Sequence, residues 1–172
     1  MFYIDAHCDT AAYILEKNQS LYSNDCAVSI EKGLAVGSWV QFFAAFVHAK
    51  ECRGREALRA FGILDKTITE CEANQRTIKL CLSYADVCDA VKEKKMGAIL
   101  SLEGGEPLLG SLAMLRSFYR MGVRCIGLTW NYRNELADGV MDSESGGGLT
   151  MFGRSVVAEM NRLGMIIDVS HI

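Results

Sequence analysis

Short apolar segments alternate with longer amphipathic segments along most of the chain, and this alternation narrowly limits the folds the sequence can adopt. Apolar residues three and four positions apart indicate a helix with one buried face, whereas a short, nearly continuous apolar run is typical of a strand buried on both faces. Strands that alternate with helices in this way form βα units around a parallel sheet. We therefore predict an α/β fold with strands at residues 2–4, 39–47, 77–82, 97–102, 123–129 and 165–169 and helices at 10–17, 56–73, 85–95, 108–120 and 149–163.

The composition indicates a globular domain that does not bind nucleic acid. The 172 residues are 50% hydrophobic and 23% charged, and the formal net charge is -3. So small a charge disfavours binding to phosphates through bulk electrostatics. The seven cysteines include no CxxC pair, which favours reduced thiols over disulfides or a thiolate zinc site. Because the sequence shows neither a basic signal-peptide start nor an apolar stretch long enough to span a bilayer, we expect a cytoplasmic protein without a membrane partner.

Polar residues directly follow four of the predicted strands, at residues 5–9, 101–105, 128–131 and 168–171. In parallel α/β folds, ligands collect at the carboxyl ends of the strands. His7 and Asp9 are two positions apart, so they point to the same side of an extended segment. Glu103 precedes two glycines that permit a close approach of backbone or ligand, and His171 follows the last strand. These segments are expected to form one polar site on an apolar scaffold.

Metal binding is the chemistry that suits these residue types. Imidazole and carboxylate are zinc ligands, and a carboxylate has two oxygens with which to bridge a pair of ions. We therefore predict metal ligation by His7, Asp9, Glu103 and His171. Each residue also has a simpler interpretation on its own: an aspartate after a strand often caps a helix, Glu103 could be a solvated loop carboxylate, and His171 could be a surface histidine.

Two other residues near these segments are assigned no chemistry. His48 follows the second predicted strand with Glu51 as its neighbouring carboxylate in sequence, and we interpret it as a structural or surface residue. Cys8 lies between two predicted ligands, where a nucleophilic role would require a base within reach.

Taken together, several segments resemble the renal, or membrane, dipeptidase family of zinc peptidases. The HxD spacing of His7 and Asp9, in place of the HxH of many related amidohydrolases, favours this family. The matching segments occur in the family's order: IDAHCD at 4–9, LEGG at 102–105, GVR at 122–124, LT at 128–129, ADG at 137–139, GLTMFG at 148–153 and MNRLGMIIDVSH at 160–171.

The resemblance implies a (β/α)8 barrel of the TIM type. Residues 1–172 would be the N-terminal portion of this one catalytic domain, with roughly the first five βα units. It also implies a binuclear zinc centre in which His7 and Asp9 hold one zinc, Glu103 bridges both and His171 holds the other. In this family a metal-bridging hydroxide attacks the peptide carbonyl of a dipeptide. Glu103 is accordingly the predicted catalytic residue as well as a ligand.

Some parts of the family's site have no counterpart within these residues. In the family a further zinc-ligating histidine, a substrate-binding arginine and an acidic aspartate lie downstream of the segment that ends here at His171. Trp130 stands where many members have a histidine, so Trp130 and Asn131 are predicted to bind substrate, and Asn131 or Arg133 would have to compensate for that histidine. We expect the 172 residues alone to be inactive and prone to associate through exposed sheet edges and apolar helix faces.

Two other functions stay open at this stage. The first is a non-catalytic half-barrel that binds zinc and pairs with itself, as a homo-oligomer, or with a separate C-terminal half. The second is a metal-dependent amidohydrolase that acts on another amide, such as a D-amino-acid or N-acyl substrate, because Trp130 changes the wall of the pocket. The oligomeric state tests the first, and turnover of N-acyl amino acids relative to dipeptides tests the second.

Overall fold

The computed structural model describes residues 2–172, which contain six strands and six α-helices. The strands are β1 (Phe2–Asp5), β2 (Ser38–Phe46), β3 (Ile78–Leu80), β4 (Met96–Glu103), β5 (Val123–Gly127) and β6 (Ile166–Asp168). The helices are α1 (Thr10–Glu16), α2 (Ile30–Val36), α3 (Glu56–Ala73), α4 (Tyr84–Lys92), α5 (Leu112–Met121) and α6 (Met151–Leu163). This order confirms the predicted alternation of strands and helices.

The strands belong to one sheet with the order β1-β2-β4-β5-β6, and β3 pairs with β4 beside this path. β1 runs parallel to β2 with Tyr3 opposite Trp39, and β5 runs parallel to β6 with Ile126 opposite Ile167. β3 and β4 are also parallel. Parallel pairing agrees with the nearly continuous apolar runs in the sequence, because strands covered on both faces need apolar residues on both.

The chain up to Ala45, together with Phe61–Leu100, forms one compact unit. Gln41 is fully buried in the middle of β2, where its side chain donates to the carbonyl oxygen of Asp5 and accepts from Nε1 of Trp39. Burial of this amide is therefore compensated by hydrogen bonds. The largest fully buried side chains of the unit are Ile14, Leu21, Ile30, Phe43, Ile63, Leu64, Ile78, Met96 and Leu100.

A carboxylate on α3 holds the loop after α1 in place. Glu70 accepts hydrogen bonds from Nζ of Lys66 at 2.6 Å, the backbone N–H of Leu21 at 2.8 Å and Oγ of Ser20 at 3.0 Å. Burial raises the pKa of Glu70, but these hydrogen bonds outweigh it, so the pKa lies below its ordinary value. The loop is therefore fastened to α3 by an ionised side chain.

The second compact unit consists of Phe46–Ala60 and Ser101–Ile172. Leu136, in the loop after β5, is packed between two glycines. A Cβ on Gly105 would lie 2.2 Å from Cδ1 of Leu136, and a Cβ on Gly153 would lie 2.0 Å from the carbonyl oxygen of Leu136. Close approach therefore requires glycine at both positions. Other fully buried side chains of this unit are Leu102, Leu108, Leu115, Phe118, Val123, Ile126, Val156 and Met160.

The helix predicted at residues 108–120 begins later, at Leu112. A short 3-10 turn, Glu106–Leu108, ends at Leu109, which has the left-handed φ of 49°. The α-helix then starts after Ser111, whose hydroxyl accepts a hydrogen bond from the backbone N–H of Ala113. The prediction was wrong at this end because the apolar spacing continues through the turn.

Helix α2 was not predicted. It is one of the shortest helices, starts after Ser29, whose hydroxyl accepts from the backbone N–H of Lys32, and ends at Gly37 with a φ of 125°. Gly33 within it faces Met96, where a Cβ would lie 3.1 Å from the sulfur. The other predicted elements are confirmed to within a few residues at their ends. Among residues 2–172, none of the helices is both long and apolar enough to cross a lipid bilayer.

Candidate metal centre

The first pair of predicted ligands, His7 and Asp9, follows β1 in the first compact unit. The backbone N–H of Cys8 donates to the carbonyl oxygen of Phe42, and the carbonyl oxygen of Cys8 accepts from the N–H of Ala44. Hydrogen bonding to β2 thus continues past the end of β1. Nε2 of His7 lies 3.5 Å from Oδ1 of Asp9, so these two side chains meet as their spacing predicts.

Asp9 occupies the N-cap position of α1, but its carboxylate makes no capping hydrogen bond. The simpler interpretation of this side chain as a helix cap is therefore wrong. Its interaction with His7 holds the pKa of Asp9 below its ordinary value. The carboxylate is consequently ionised at neutral pH, which is the form that binds metals.

Cys8, between the two, is a poor nucleophile. Burial raises the pKa of its thiol to about 12. A thiol with such a pKa remains protonated at neutral pH, whereas the thiolate is the reactive form. The structure therefore gives Cys8 no catalytic role.

The second pair of predicted ligands, Glu103 and His171, lies in the second compact unit. Glu103 is the last residue of β4 and His171 follows β6, and Oε1 of Glu103 lies 3.5 Å from Nε2 of His171. The side chain of Glu103 is only 13% exposed, so its interpretation as a solvated loop carboxylate is wrong. The carbonyl oxygen of His171 accepts hydrogen bonds from Oγ1 of Thr129 and the backbone N–H of Val140, which fix the backbone of this residue.

Asn131 determines the orientation of the His171 ring. Its Oδ1 lies 3.0 Å from Nδ1 of His171. An amide oxygen can only accept, so the tautomer that makes this hydrogen bond carries the hydrogen on Nδ1 and presents the lone pair of Nε2 on the side of Glu103. Histidines that bind metals usually have their second nitrogen engaged in this way. Asn131 thus contacts a predicted ligand, and its contact with substrate stays a prediction.

The geometry within each pair suits a shared metal ion. Ligand atoms about 2.0–2.1 Å from a tetrahedral zinc lie about 3.3 Å from one another. The imidazole nitrogen and carboxylate oxygen of each pair are separated by 3.5 Å, which is close to that value and long for a hydrogen bond. Both pairs therefore offer a nitrogen and an oxygen ligand at a distance that one ion can bridge.

Trp130 lies in an aromatic cluster beside the second pair. Its ring centroid is 6.4 Å from that of His171, 5.6 Å from that of His48, 5.1 Å from that of Phe46 and 6.1 Å from that of Tyr132. Trp130 therefore forms a wall next to a predicted ligand. This is a suitable position for its predicted contact with substrate, which stays a prediction.

The polar residues after Asn131 hold the loop that follows β5. Asp138 accepts hydrogen bonds from the side chains of Arg133 and Ser145 and from the backbone N–H groups of Gly147 and Gly148. The hydrogen bond from Arg133 is the main reason that the pKa of Asp138 lies far below its ordinary value. Because Arg133 is engaged in this loop, the structure does not favour it as a replacement for the histidine absent at Trp130.

The sequence profile of the family described as "Membrane dipeptidase (Peptidase family M19)" matches residues 1–172. The chain belongs to the M19 membrane dipeptidase family. The resemblance found in the sequence is thereby confirmed, and family membership implies a metal cofactor.

Several curated relatives of the chain are named dipeptidases. The chain is 37% identical over 137 residues to dipeptidase 3 of Rattus norvegicus, an alignment that covers 76% of this chain and 27% of the relative. It is 42% identical over 78 residues to dipeptidase aclJ of Aspergillus oryzae, covering 45% of this chain and 18% of the relative. The chain thus spans about a quarter of the rat relative's length.

Solved structures of metallo peptidases have the same fold. The dipeptidase AC, described as a metallo peptidase of family M19, superposes with a TM-score of 0.85 at 21% identity over 100% of this chain and 57% of its own. A metallo peptidase from Rhodobacter sphaeroides, liganded with a phosphinate mimic of L-Ala-D-Ala, gives a TM-score of 0.86 at 20% identity over 100% of this chain and 59% of its own. These superpositions confirm the predicted partial TIM-type barrel.

Two features of the second unit were missed in the sequence. The contact between Asn131 and His171 joins residues 40 positions apart, and no local pattern indicates it. The second is a pair of buried side-chain atoms, Nδ1 of His48 and Oε2 of Glu106, with no hydrogen-bond partner among the described residues 2–172. A glutamate directly after two glycines and before Pro107 was the available signal for Glu106.

Proposed function

We propose that the protein is a zinc-dependent dipeptidase whose two zinc ions are held by His7, Asp9, Glu103 and His171. All four residues follow or end strands of one parallel sheet, and sites in such folds form at the carboxyl ends of the strands. Membership of the M19 family supports the reaction, and the dipeptide mimic bound to the Rhodobacter sphaeroides relative supports the substrate class.

The observation that carries the proposal is the double occurrence of a histidine nitrogen 3.5 Å from a carboxylate oxygen. Each pair supplies one neutral and one anionic ligand, which partly neutralises a divalent ion. The 3.5 Å separation is close to the distance of about 3.3 Å expected between two ligand atoms on one tetrahedral zinc ion.

Zinc would supply Lewis acidity toward the peptide carbonyl and an activated water near neutral pH. The chain's own residues prepare the site for that chemistry. Asn131 keeps the hydrogen of His171 on Nδ1 so that Nε2 can ligate. Glu103, nearly buried at the end of β4, has a second oxygen with which to bridge ions or to accept the proton released by the attacking water.

The test compares the protein purified from its source cells with the 172-residue chain. The purified protein should contain about two zinc ions and hydrolyse L-Ala-D-Ala, and Glu103→Gln should abolish turnover while the protein stays folded. The 172-residue chain alone is expected to bind fewer than two zinc ions and to hydrolyse no dipeptide. The intact mass of the purified protein shows which of the two the cell makes.

Two results would contradict the proposal. A folded purified protein that binds no zinc at stoichiometric concentration would rule out the centre. Full dipeptide hydrolysis by the Glu103→Gln variant would show that Glu103 has no role in the reaction.

A second candidate is hydrolysis of a different amide, because Trp130 rather than histidine lines the wall beside His171. The purified protein would then turn over N-acyl amino acids with a higher kcat/KM than dipeptides. Because both candidate enzymes would contain the same amount of zinc, only the comparison of kcat/KM between dipeptides and N-acyl amino acids distinguishes them.

A further inference from the structure

His171 has an unusual backbone conformation for a residue that follows a strand. Its φ is 66°, in the left-handed region that is unfavourable for residues other than glycine. Among residues 2–172, the other non-glycine residues with a left-handed φ each lie just after a helical segment, where this conformation is common: Asn18, Lys94 and Leu109. His171 instead follows β6, so its conformation requires another cause.

Two hydrogen bonds hold the backbone of His171 in this conformation. Its carbonyl oxygen accepts from the backbone N–H of Val140 at 2.8 Å and from Oγ1 of Thr129 at 3.2 Å. Unfavourable backbone conformations persist where the surrounding structure over-determines them, and they cluster at functional sites. The two donors come from different parts of the chain after β5, and together they fix where the carbonyl group points.

A turn shapes the chain directly before His171. Oδ1 of Asp168 accepts from the backbone N–H of Ser170 at 2.8 Å, and the carbonyl oxygen of Val169 accepts from the N–H of Ile172 at 3.4 Å. His171 is the third residue of this turn, the position that has a positive φ in type II turns. Glycine or asparagine usually occupies that position, so a histidine there depends on support from outside the turn.

The backbone conformation of His171 determines where its ring lies. Nε2 is 3.5 Å from Oε1 of Glu103, and Nδ1 is 3.0 Å from Oδ1 of Asn131. Relaxation of φ from 66° to the ordinary helical value of about -60° would turn the side chain by roughly 120° about the N–Cα bond. The ring would then leave both partners, and the proposed zinc ion would lose a ligand.

The hydroxyl group of Thr129 is committed to this contact. Thr129 lies two residues after β5 and is only 1% exposed, and its Oγ1 donates to the carbonyl oxygen of His171. A buried hydroxyl group that loses its acceptor is costly, so the hydroxyl and the carbonyl hold each other in place. Thr129 therefore contacts His171 through the backbone, whereas Asn131 contacts it through the ring.

We propose that Thr129 is a positioning residue of the metal centre, whose hydroxyl group holds His171 in the left-handed conformation and so directs the imidazole toward Glu103. This inference rests on the proposed dipeptidase function for the role of zinc. It goes further in assigning part of the zinc affinity to a residue that contacts a ligand only through the backbone of that ligand.

The experiment measures zinc binding by the purified protein and by two variants at position 129. Thr129→Val removes the hydroxyl group but keeps the shape of the side chain, and Thr129→Ser keeps the hydroxyl group. Competition with a chelator gives the dissociation constant of each zinc ion, and the spectrum of the Co²⁺-loaded protein reports the ligand geometry. We expect Thr129→Val to weaken binding of one of the two zinc ions by about tenfold and to change the Co²⁺ spectrum, because groups that orient a metal ligand typically contribute about 10–100-fold to affinity. Thr129→Ser should restore most of the affinity.

Thr67→Val is the matched control. Thr67 is a fully buried threonine of α3, and its Oγ1 also donates to a backbone carbonyl oxygen, that of Ile63, at 2.8 Å. The control removes the same kind of hydrogen bond in a helix that carries none of the predicted ligands, so it should lower the stability and leave the zinc affinity unchanged. Circular dichroism verifies folding, and Thr129→Ala carries the test if Thr129→Val does not fold.

A measurement on the metal-free protein tests the positioning of His171 independently of zinc. In protein labelled with ¹⁵N-histidine at alkaline pH, the imidazole nitrogen chemical shifts show which nitrogen carries the hydrogen. His171→Asn identifies the signals of this ring, because asparagine tolerates the left-handed backbone. We expect the tautomer with hydrogen on Nδ1, since Asn131 accepts from that nitrogen, and a mixture of tautomers in Thr129→Val.

The outcomes separate this inference from the proposed function. Unchanged zinc affinity, Co²⁺ spectrum and His171 tautomer in a folded Thr129→Val protein would overturn the inference and leave the dipeptidase proposal standing. Equal losses of zinc affinity in Thr129→Val and Thr67→Val would also overturn it, since a general loss of stability would then explain both. If the purified protein binds no zinc, the proposed centre is wrong, and the tautomer measurement alone decides whether Thr129 positions His171.

Discussion

Removing the amide of Asn131 tests how the candidate metal centre is held together. In Asn131→Ala, Nδ1 of His171 loses the acceptor at 3.0 Å, and both the tautomer and the orientation of the ring become free. A hydrogen bond of this kind contributes about 0.5–1.5 kcal/mol, and loss of a partner behind a metal ligand weakens metal affinity about 10–100-fold. Since tenfold corresponds to about 1.4 kcal/mol, the expected weakening is about tenfold, with the lost ring orientation adding to it.

The assay is competition for Zn²⁺ against a chromophoric chelator at constant pH. Absorption of the Co²⁺-loaded protein also reports the ligand geometry and should change in the variant. Asn131→Asp retains an acceptor and should keep or increase the affinity, whereas Asn161→Ala, at an exposed asparagine of α6, should have no effect. An unchanged dissociation constant and Co²⁺ spectrum in a folded Asn131→Ala protein would refute the positioning role.

Three further predictions concern stability and reactivity. Gly153→Ala should destabilise the protein by about 1–3 kcal/mol in thermal unfolding, because its Cβ would lie 2.0 Å from a carbonyl oxygen. Gly62→Ala in α3, where the nearest atom to the added Cβ is at 3.7 Å, should stabilise the protein by about 0.5–1 kcal/mol. Equal shifts in the two variants would contradict the packing argument. Glu70→Gln should lower the free energy of unfolding by on the order of 1 kcal/mol at pH 7. Because the folded-state pKa of Glu70 is lowered, this difference should begin to shrink below pH 4.5 and vanish once the pH falls below the folded-state pKa. A difference that does not depend on pH would contradict this role of the ionised carboxylate. In a thiol titration at pH 8, exposed Cys88 should react first and buried Cys71, with a pKa of about 12, only after unfolding, so early labelling of Cys71 would show that it is not buried.

Most of the fold could be predicted because each element carries its own periodicity. The bounds predicted for α3, 56–73, agree with the structure, since eighteen residues contain several turns of apolar spacing. The errors occurred where local backbone geometry overrides that spacing. The start of α5 depends on the left-handed Leu109, and the short α2 depends on a serine cap and a terminal glycine.

The candidate site was predicted in part. The spacing of His7 and Asp9 was enough to place both on one side of an extended segment, because two-residue periodicity is local. Glu103 and His171 could only be grouped by the argument from strand ends and by the family resemblance, and the structure shows that these two are in contact. The roles of Asn131 and Asp138 could not be predicted, because their partners are fixed by loop conformation.

The packing of Leu136 between two glycines has a consequence for how this family can vary. The close contact at Gly105 is with the end of a leucine side chain, so a larger residue at 105 is compatible with a smaller one at 136. The contact at Gly153 is with a backbone carbonyl, which no substitution at 136 removes. Positions 105 and 136 should therefore change together among natural relatives, while position 153 should remain glycine even in relatives where both of the other positions differ.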